Sequence, residues 1–175
     1  MVTRTRCVQW SLALATGGLV ALGWVALDTS PLQIVYNASD SVPAGWYRIT
    51  STGSVAVGDI VLIRLPVHAA TLAAKRGYLP KHVPLLKTVA AVPPQNVCVR
   101  SDQVLVDGQI VAKRLHRDRQ GRALPIWQTC RHLAGDELFL LSTANPESFD
   151  SRYFGPVSAS AVIGRAQPLW LESRR

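Results

Sequence analysis

The sequence predicts a mainly β protein behind one N-terminal transmembrane helix, and three observations carry that expectation. Residues 7–27 hold no charged side chain and only Gln9, Ser11 and Thr16 as polar ones, close to the roughly 20 residues that span a bilayer as a helix. Beyond them, short Val/Ile/Leu-rich runs alternate with turn residues, as strands do. Finally, no βαβ alternation, internal repeat or low-complexity linker interrupts residues 28–175, so one folded domain is the economical count.

Arg4 and Arg6 precede the apolar run and Trp10 and Trp24 lie near its ends. The positive flank keeps residues 1–6 in the cytoplasm and sends the domain across the membrane, while the indole rings suit the two interfaces. A cleaved signal peptide is the rival reading. Val25-Ala26-Leu27 offers no small-x-small cleavage site, and the run is longer than a usual signal-peptide core, which favours a retained anchor at 7–27.

In the domain, Trp46–Thr50 reads as a short strand, and Gly58-Asp59 as a turn into the apolar strand 60–64. Residues 71–76 suit a short helix stopped by Gly77. Leu85 to Val92 is a buried strand carrying a single lysine, Lys87. Residues 96–99 and 103–106 flank a turn at Arg100-Ser101-Asp102, and Asp107-Gly108 is a hairpin signal between 104–106 and 109–111. Residues 137–142 and 162–166 complete the strands.

The net charge of +8 raises the possibility of nucleic-acid binding. Its basic residues are spread from Arg4 to Arg175, and the densest run, 113–122, has no interleaved aromatics. That run reads as a solvated loop, with anionic lipid or an acidic partner as the alternative, and no nucleic-acid partner is expected. Cys7 falls in the anchor. Cys98 and Cys130 remain for the exported part, where an oxidising compartment allows a disulfide worth about 3–4 kcal/mol in the chain-entropy model; two buried thiols are the alternative. His68, His82, His116 and His132 show no ligand spacing with one another or with the cysteines, so no metal and no cofactor is expected.

The candidate chemistry lies in two places. Asn37-Ala38-Ser39-Asp40-Ser41-Val42-Pro43-Ala44-Gly45-Trp46-Tyr47 makes a poor helix, because Pro43 drives Val42 out of the α region and lacks an N–H. It displays hydroxyls on an extended or turning loop. Lys87 sits among Leu85, Leu86, Val89 and Ala90. Such a lysine can simply snorkel to solvent; buried, it loses its proton more easily and becomes a base. Beside Ser41 a neutral Lys87 would form a Ser-Lys pair for nucleophilic catalysis, although spacing alone does not establish their proximity.

The run 37–47, then Leu86-Lys87-Thr88-Val89-Ala90-Ala91, then Ser148-Phe149-Asp150-Ser151-Arg152-Tyr153-Phe154-Gly155-Pro156-Val157 resembles the type I signal peptidase family, and within it the conjugative-transfer, TraF-type maturation peptidases. The resemblance spans nearly the whole chain, anchor included. It implies a signal-peptidase-like catalytic domain of folded β-sheets, periplasmic and close to the bacterial inner membrane. Ser41 matches the nucleophile, Lys87 the general base, and Ser39 a position whose hydroxyl joins the Ser41 N–H as oxyanion donor. Asp150 matches the aspartate of the C-terminal motif, which either orients Lys87 or pairs with Arg152. Thr88, where arginine often follows the lysine, and Val92-Pro93-Pro94-Gln95, in place of a proline-glycine-aspartate turn, depart from the wider family; neither removes a catalytic group. The implied substrate is an exported, pilin-like precursor handled with a conjugation or type IV secretion apparatus. Hydrolysis or cyclisation, a general signal peptidase, and a non-catalytic assembly factor all stay open at this point. A self-cleaving repressor is disfavoured by the apolar N-terminal segment.

Overall fold

The computed structural model describes residues 16–17 and 33–173. The chain divides into two units, Met1–Leu32 and Gln33–Arg175. Apart from positions 16 and 17, the expected anchor lies outside the described residues, and among the described residues no helix is long and apolar enough to cross a membrane.

The second unit is mainly β, as the patterning predicts. Its strands are β1 (Gln33–Asn37), β2 (Gly45–Thr50), β3 (Ile60–Ile63), β4 (Leu85–Ala91), β5 (Asn96–Arg100), β6 (Gln103–Val106), β7 (Gln109–Lys113), β8 (Cys130–His132), β9 (Glu137–Leu141), β10 (Val157–Ser158) and β11 (Val162–Leu171). Two α-helices, α1 (Val67–Lys75) and α2 (Ser151–Phe154), and a short 3-10 helix (Ala159–Ala161) interrupt them. All pairings are antiparallel, in a seven-stranded sheet ordered β1-β2-β11-β3-β4-β9-β10 and a four-stranded sheet ordered β7-β6-β5-β8.

β9 explains why its sequence is a continuous apolar run instead of an alternation. Leu138 and Leu140 join Val61, Ile63 and Val89 in one core, whereas Phe139 and Leu141 join Val97, Val99, Val104 and Val106 in another. A strand buried on both faces needs apolar side chains at every position. β4 serves the same two cores through Val89 and Ala91, and Lys87 is the register partner of Val61 on β3. It therefore projects from the sheet beside fully buried Val61 and is itself 1% exposed.

Turn chemistry follows the sequence where it demands positive φ. Asp107 (φ 49°) and Gly108 (φ 82°) form the β6–β7 turn, the left-handed pair that a two-residue hairpin requires. Several features exceed the sequence expectations, the short elements β8, β10 and α2 among them. α1 begins at Val67, ahead of the expected residue 71, with Ala69, Ala70 and Ala73 buried. β11 runs on to Leu171, because its first part pairs with β3 and its second with β2. β1 was not expected at all; only β2 completes it as a strand. Cys98 and Cys130 are register partners on β5 and β8, with their sulfurs joined.

Gly45 opens β2 at φ 144°, with the Trp170 backbone carbonyl packed where a Cβ would stand. Gly45→Ala is expected to destabilise the domain by about 1–3 kcal/mol from backbone strain alone, read as a lower urea midpoint with an unchanged slope. A wild-type midpoint would mean that residue 45 relaxes to a negative φ and β11 moves aside, both at no cost.

Candidate active site

The loop from β1 to β2 carries Ser41. Its ends are pinned by apolar burial, since Val42 and Tyr47 pack in one core with Leu62 and Leu86, and the Tyr47 hydroxyl donates to the Pro43 carbonyl at 2.6 Å. Pro43 holds Val42 extended, so the chain turns at residues 39–42 and leaves Ser41 at the surface of the core. Ser39 stands two residues earlier. Its Oγ accepts from the Ser41 N–H at 3.4 Å and its hydroxyl donates to Asn37 Oδ1 at 2.8 Å.

Tertiary folding brings Lys87 to this loop. Lys87 Nζ donates to Ser41 Oγ at 2.8 Å, and it also contacts Ser148 Oγ. The two serine oxygens are 3.5 Å apart. Burial lowers the Lys87 pKa to about 8, with Asp150 pulling it up and Arg152 pushing it down. A group that titrates near neutrality, next to a hydroxyl, can take that hydroxyl's proton during attack on a carbonyl.

Asp150 sits near this pair without a hydrogen bond to Lys87 among those described. Its carboxylate accepts from Arg152 Nε (2.7 Å), Arg152 Nη2 (2.9 Å), the Arg152 N–H (3.3 Å) and the Ser142 N–H (2.9 Å). Both side chains are almost wholly buried. Arg152 also donates to the carbonyls of Lys113, Pro146 and Ser142. The structure pairs Asp150 with Arg152, and the influence of Asp150 on Lys87 is through space. This ion pair ties β9 and the end of β7 to the turn that presents Ser148.

Ser148 was not singled out from the sequence. The only signal was its place two residues before Asp150, in a run where any hydroxyl could equally cap a turn. The basic run 113–122 is mostly exposed, as expected, but it is anchored at the buried Arg114 and at Asp118. Asp118 is 8% exposed at its side chain and accepts from the Tyr78 hydroxyl, Arg122 Nε and the N–H groups of Gln120 and Arg122. Desolvation would raise its carboxyl, but these hydrogen bonds outweigh it and hold the group well below the usual carboxylate range. The loop thus docks on the segment after α1. Between them and the Ser41 loop lies a cavity of about 420 Å³ that reaches Ser39, Ser41 and Lys87, with Leu65, Leu85 and Phe149 among its apolar walls. Among the described residues no cluster of His, Cys, Asp and Glu could hold a metal.

A family model for signal peptidase, peptidase S26, matches residues 7–171. The chain belongs to this family. Among its relatives, a plasmid transfer protein TraF of Escherichia coli is 32% identical over 163 residues, covering 91% of this chain and 88% of its own. A probable conjugal transfer protein TraF of Sinorhizobium fredii is 34% identical over 164 residues, covering 89% and 86%. A conjugal transfer protein TraF of Agrobacterium tumefaciens is 33% identical over 142 residues, covering 77% and 80%. A crystal structure of a signal peptidase I from Enterococcus faecalis aligns with a TM-score of 0.40 at 18% identity, covering 66% of this S26 chain and 98% of the other.

Proposed function

We propose that this S26 peptidase is a membrane-anchored serine endopeptidase, with Ser41 as nucleophile and Lys87 as general base, that matures an exported precursor in conjugative transfer. The observation that carries the reading is Lys87 Nζ, buried and lowered to about 8, at 2.8 Å from Ser41 Oγ. The TraF names of the relatives support the conjugative setting, with a pilin-like precursor as substrate and the transfer apparatus as partner.

In the acylation step, Ser41 Oγ bonds to the scissile carbonyl carbon and its proton passes to Lys87 Nζ. The oxyanion takes hydrogen bonds from the Ser41 N–H and the Ser39 hydroxyl. Collapse expels the leaving amine, which receives the proton from Lys87, and leaves an acyl-Ser41 ester. Water releases a linear product; attack by the substrate's own N-terminal amine releases a cyclic one, lighter by one water. Ser148 holds the other side of Lys87 Nζ and so limits the directions its lone pair can point.

The membrane placement rests on the apolar segment 7–27 and on an exposed aromatic row. Tyr36, Trp46 and Trp170 are register partners across β1, β2 and β11 and are 42%, 49% and 73% exposed. Aromatic rings of this kind favour the headgroup region, and two of them flank the Ser41 loop directly. An inner-membrane anchor with a periplasmic domain gives both features one explanation.

Co-expression with a candidate pilin precursor tests the reading. Ser41→Ala and Lys87→Ala should each abolish maturation while the proteins still accumulate in the membrane fraction, and the intact mass of the wild-type product distinguishes hydrolysis from cyclisation. Maturation by Lys87→Ala at the wild-type rate would overturn the assignment. An ordinary secretory precursor cleaved equally well would mark a general signal peptidase, and an unchanged precursor with wild type an assembly factor.

A further inference from the structure

The β1–β2 loop has to hold a nucleophile and two oxyanion donors in register, yet residues 38–44 belong to no strand or helix. Asn37, the last residue of β1, is 7% exposed and supplies what the loop lacks. Its Nδ2 faces the carbonyl oxygens of Ser39 at 2.9 Å, Val42 at 2.9 Å and Pro43 at 3.2 Å. Its Oδ1 accepts from the Ser39 N–H at 3.1 Å and the Ser39 hydroxyl at 2.8 Å.

An ordinary turn-forming asparagine needs only the bond to the N–H two residues on. Two of the remaining contacts reach past Ser41 to Val42 and Pro43 while the others hold Ser39, so one amide brackets the nucleophile from both sides. Only an amide offers an acceptor and a two-proton donor on one short side chain. A carboxylate would turn a second acceptor toward three carbonyls.

Building on Ser41 as nucleophile, we propose that Asn37 is a positioning residue for acyl transfer: it fixes the Ser41 loop and presents the Ser39 hydroxyl to the oxyanion. In the resting site the Ser41 N–H is spent on Ser39 Oγ at 3.4 Å, a long bond that an incoming carbonyl oxygen displaces at little cost. The Ser39 hydroxyl then swings from Asn37 Oδ1 to the oxyanion, while Oδ1 keeps the Ser39 N–H and the loop stays in place.

The test uses the full chain in detergent micelles and the p-nitrophenyl ester of N-acetyl-alanine. Acylation joins Ser41 Oγ to the ester carbonyl, breaks the bond to nitrophenolate and passes the hydroxyl proton to Lys87. Nitrophenolate release gives the rate and intact mass the adduct. Asn37→Ala should lower the limiting acylation rate constant about ten- to hundredfold, at or somewhat below the loss from removing one oxyanion donor. The half-saturating ester concentration should stay within about twofold, because oxyanion contacts act in the transition state. The pH of half-maximal rate should not move, since Lys87 is untouched. In a Ser39→Ala background the same substitution should cost less than it does alone, because part of its effect runs through the lost hydroxyl.

Asn37→Asp, which keeps Oδ1 and loses the donor, should fall in the same direction and stands in if the alanine variant does not fold, as judged by near-UV circular dichroism. Wild-type limiting rates in a folded variant, a loss confined to half-saturation, or full additivity with Ser39→Ala would each overturn the proposal. Failure of both variants to fold would make Asn37 a folding residue and overturn it too. Acylation of wild type but not of Ser41→Ala keeps the nucleophile assignment standing, so a negative Asn37 result then counts against Asn37 alone. If wild type is not acylated, the nucleophile assignment fails and this inference goes with it.

Discussion

Lys87→Met is expected to abolish turnover and, at neutral pH, to make the protein more stable. The wild-type lysine is 1% exposed, and burial lowers it from 10.5 to about 8. At about 1.4 kcal/mol per pKa unit, that depression is a penalty on the order of 3 kcal/mol for carrying the ammonium in the fold at neutral pH. Methionine has a similar length without the charge, and replacing buried ionic groups by apolar ones often stabilises by 1–4 kcal/mol. The sign with pH follows from proton binding. Because the folded pKa is the lower one, the unfolded state holds more protons between about 8 and 10.5, and wild-type stability rises with pH through that window. The advantage of Lys87→Met should therefore be full below pH 8 and shrink toward pH 10.5. Acylation by wild type should rise with pH and level off above about 8, as the neutral amine becomes the base. Urea melts at pH 6.5 and pH 10 and a pH–rate profile check both statements. A variant less stable than wild type at pH 6.5 would show that the bonds to Ser41 and Ser148 outweigh the desolvation.

Arg152→Met is expected to be the most destabilising single change at the site. It leaves the Asp150 carboxylate, 0% exposed, without its counter-ion and removes the donor from three backbone carbonyls. Breaking a buried ion pair from one side typically costs about 3–5 kcal/mol, and at about 2–4 °C per kcal/mol in a domain this size the melting temperature should fall by roughly 6–20 °C. The double change Arg152→Met with Asp150→Leu should recover part of that loss, because the uncompensated charge goes with its partner. There is also a kinetic signature. Arg152 pushes Lys87 down while Asp150 pulls it up, so in any Arg152→Met protein that stays folded the half-maximal pH of acylation should move upward. Thermal melts and the pH–rate profile read the two effects separately; an unchanged melting temperature would mean that the pair contributes nothing to the fold.

Much of the domain was legible in the sequence where local chemistry is decisive. Asp107-Gly108 demands positive φ, so the hairpin is visible without its partners. Pro43 keeps its loop out of helix, and the charge-free segment 7–27 points to a membrane from composition alone. The hydroxyls of Ser39 and Ser41 and a lone lysine in an apolar strand were legible as chemistry. Family motifs were needed to link them, since 46 residues separate Ser41 from Lys87 and no periodicity spans that gap.

Tertiary structure decided the rest. Gln33–Asn37 carries the strand formers Ile34, Val35 and Tyr36, but so short a run behind the apolar segment does not mark itself off as a strand, and pairing with β2 makes it β1. The run 113–122 looks like solvated charge until Tyr78 and Arg76, distant in sequence, close on Asp118. Ser148 acquires its place because the Asp150–Arg152 pair fixes the turn before α2, and Asp150 itself is settled beside Arg152 by burial that excludes water from both. Sequence by itself determined which groups could do chemistry, because reactivity belongs to side-chain type. Folding decided which of them meet in a dry site, because desolvation and hydrogen-bond reach depend on residues brought from separate strands and loops.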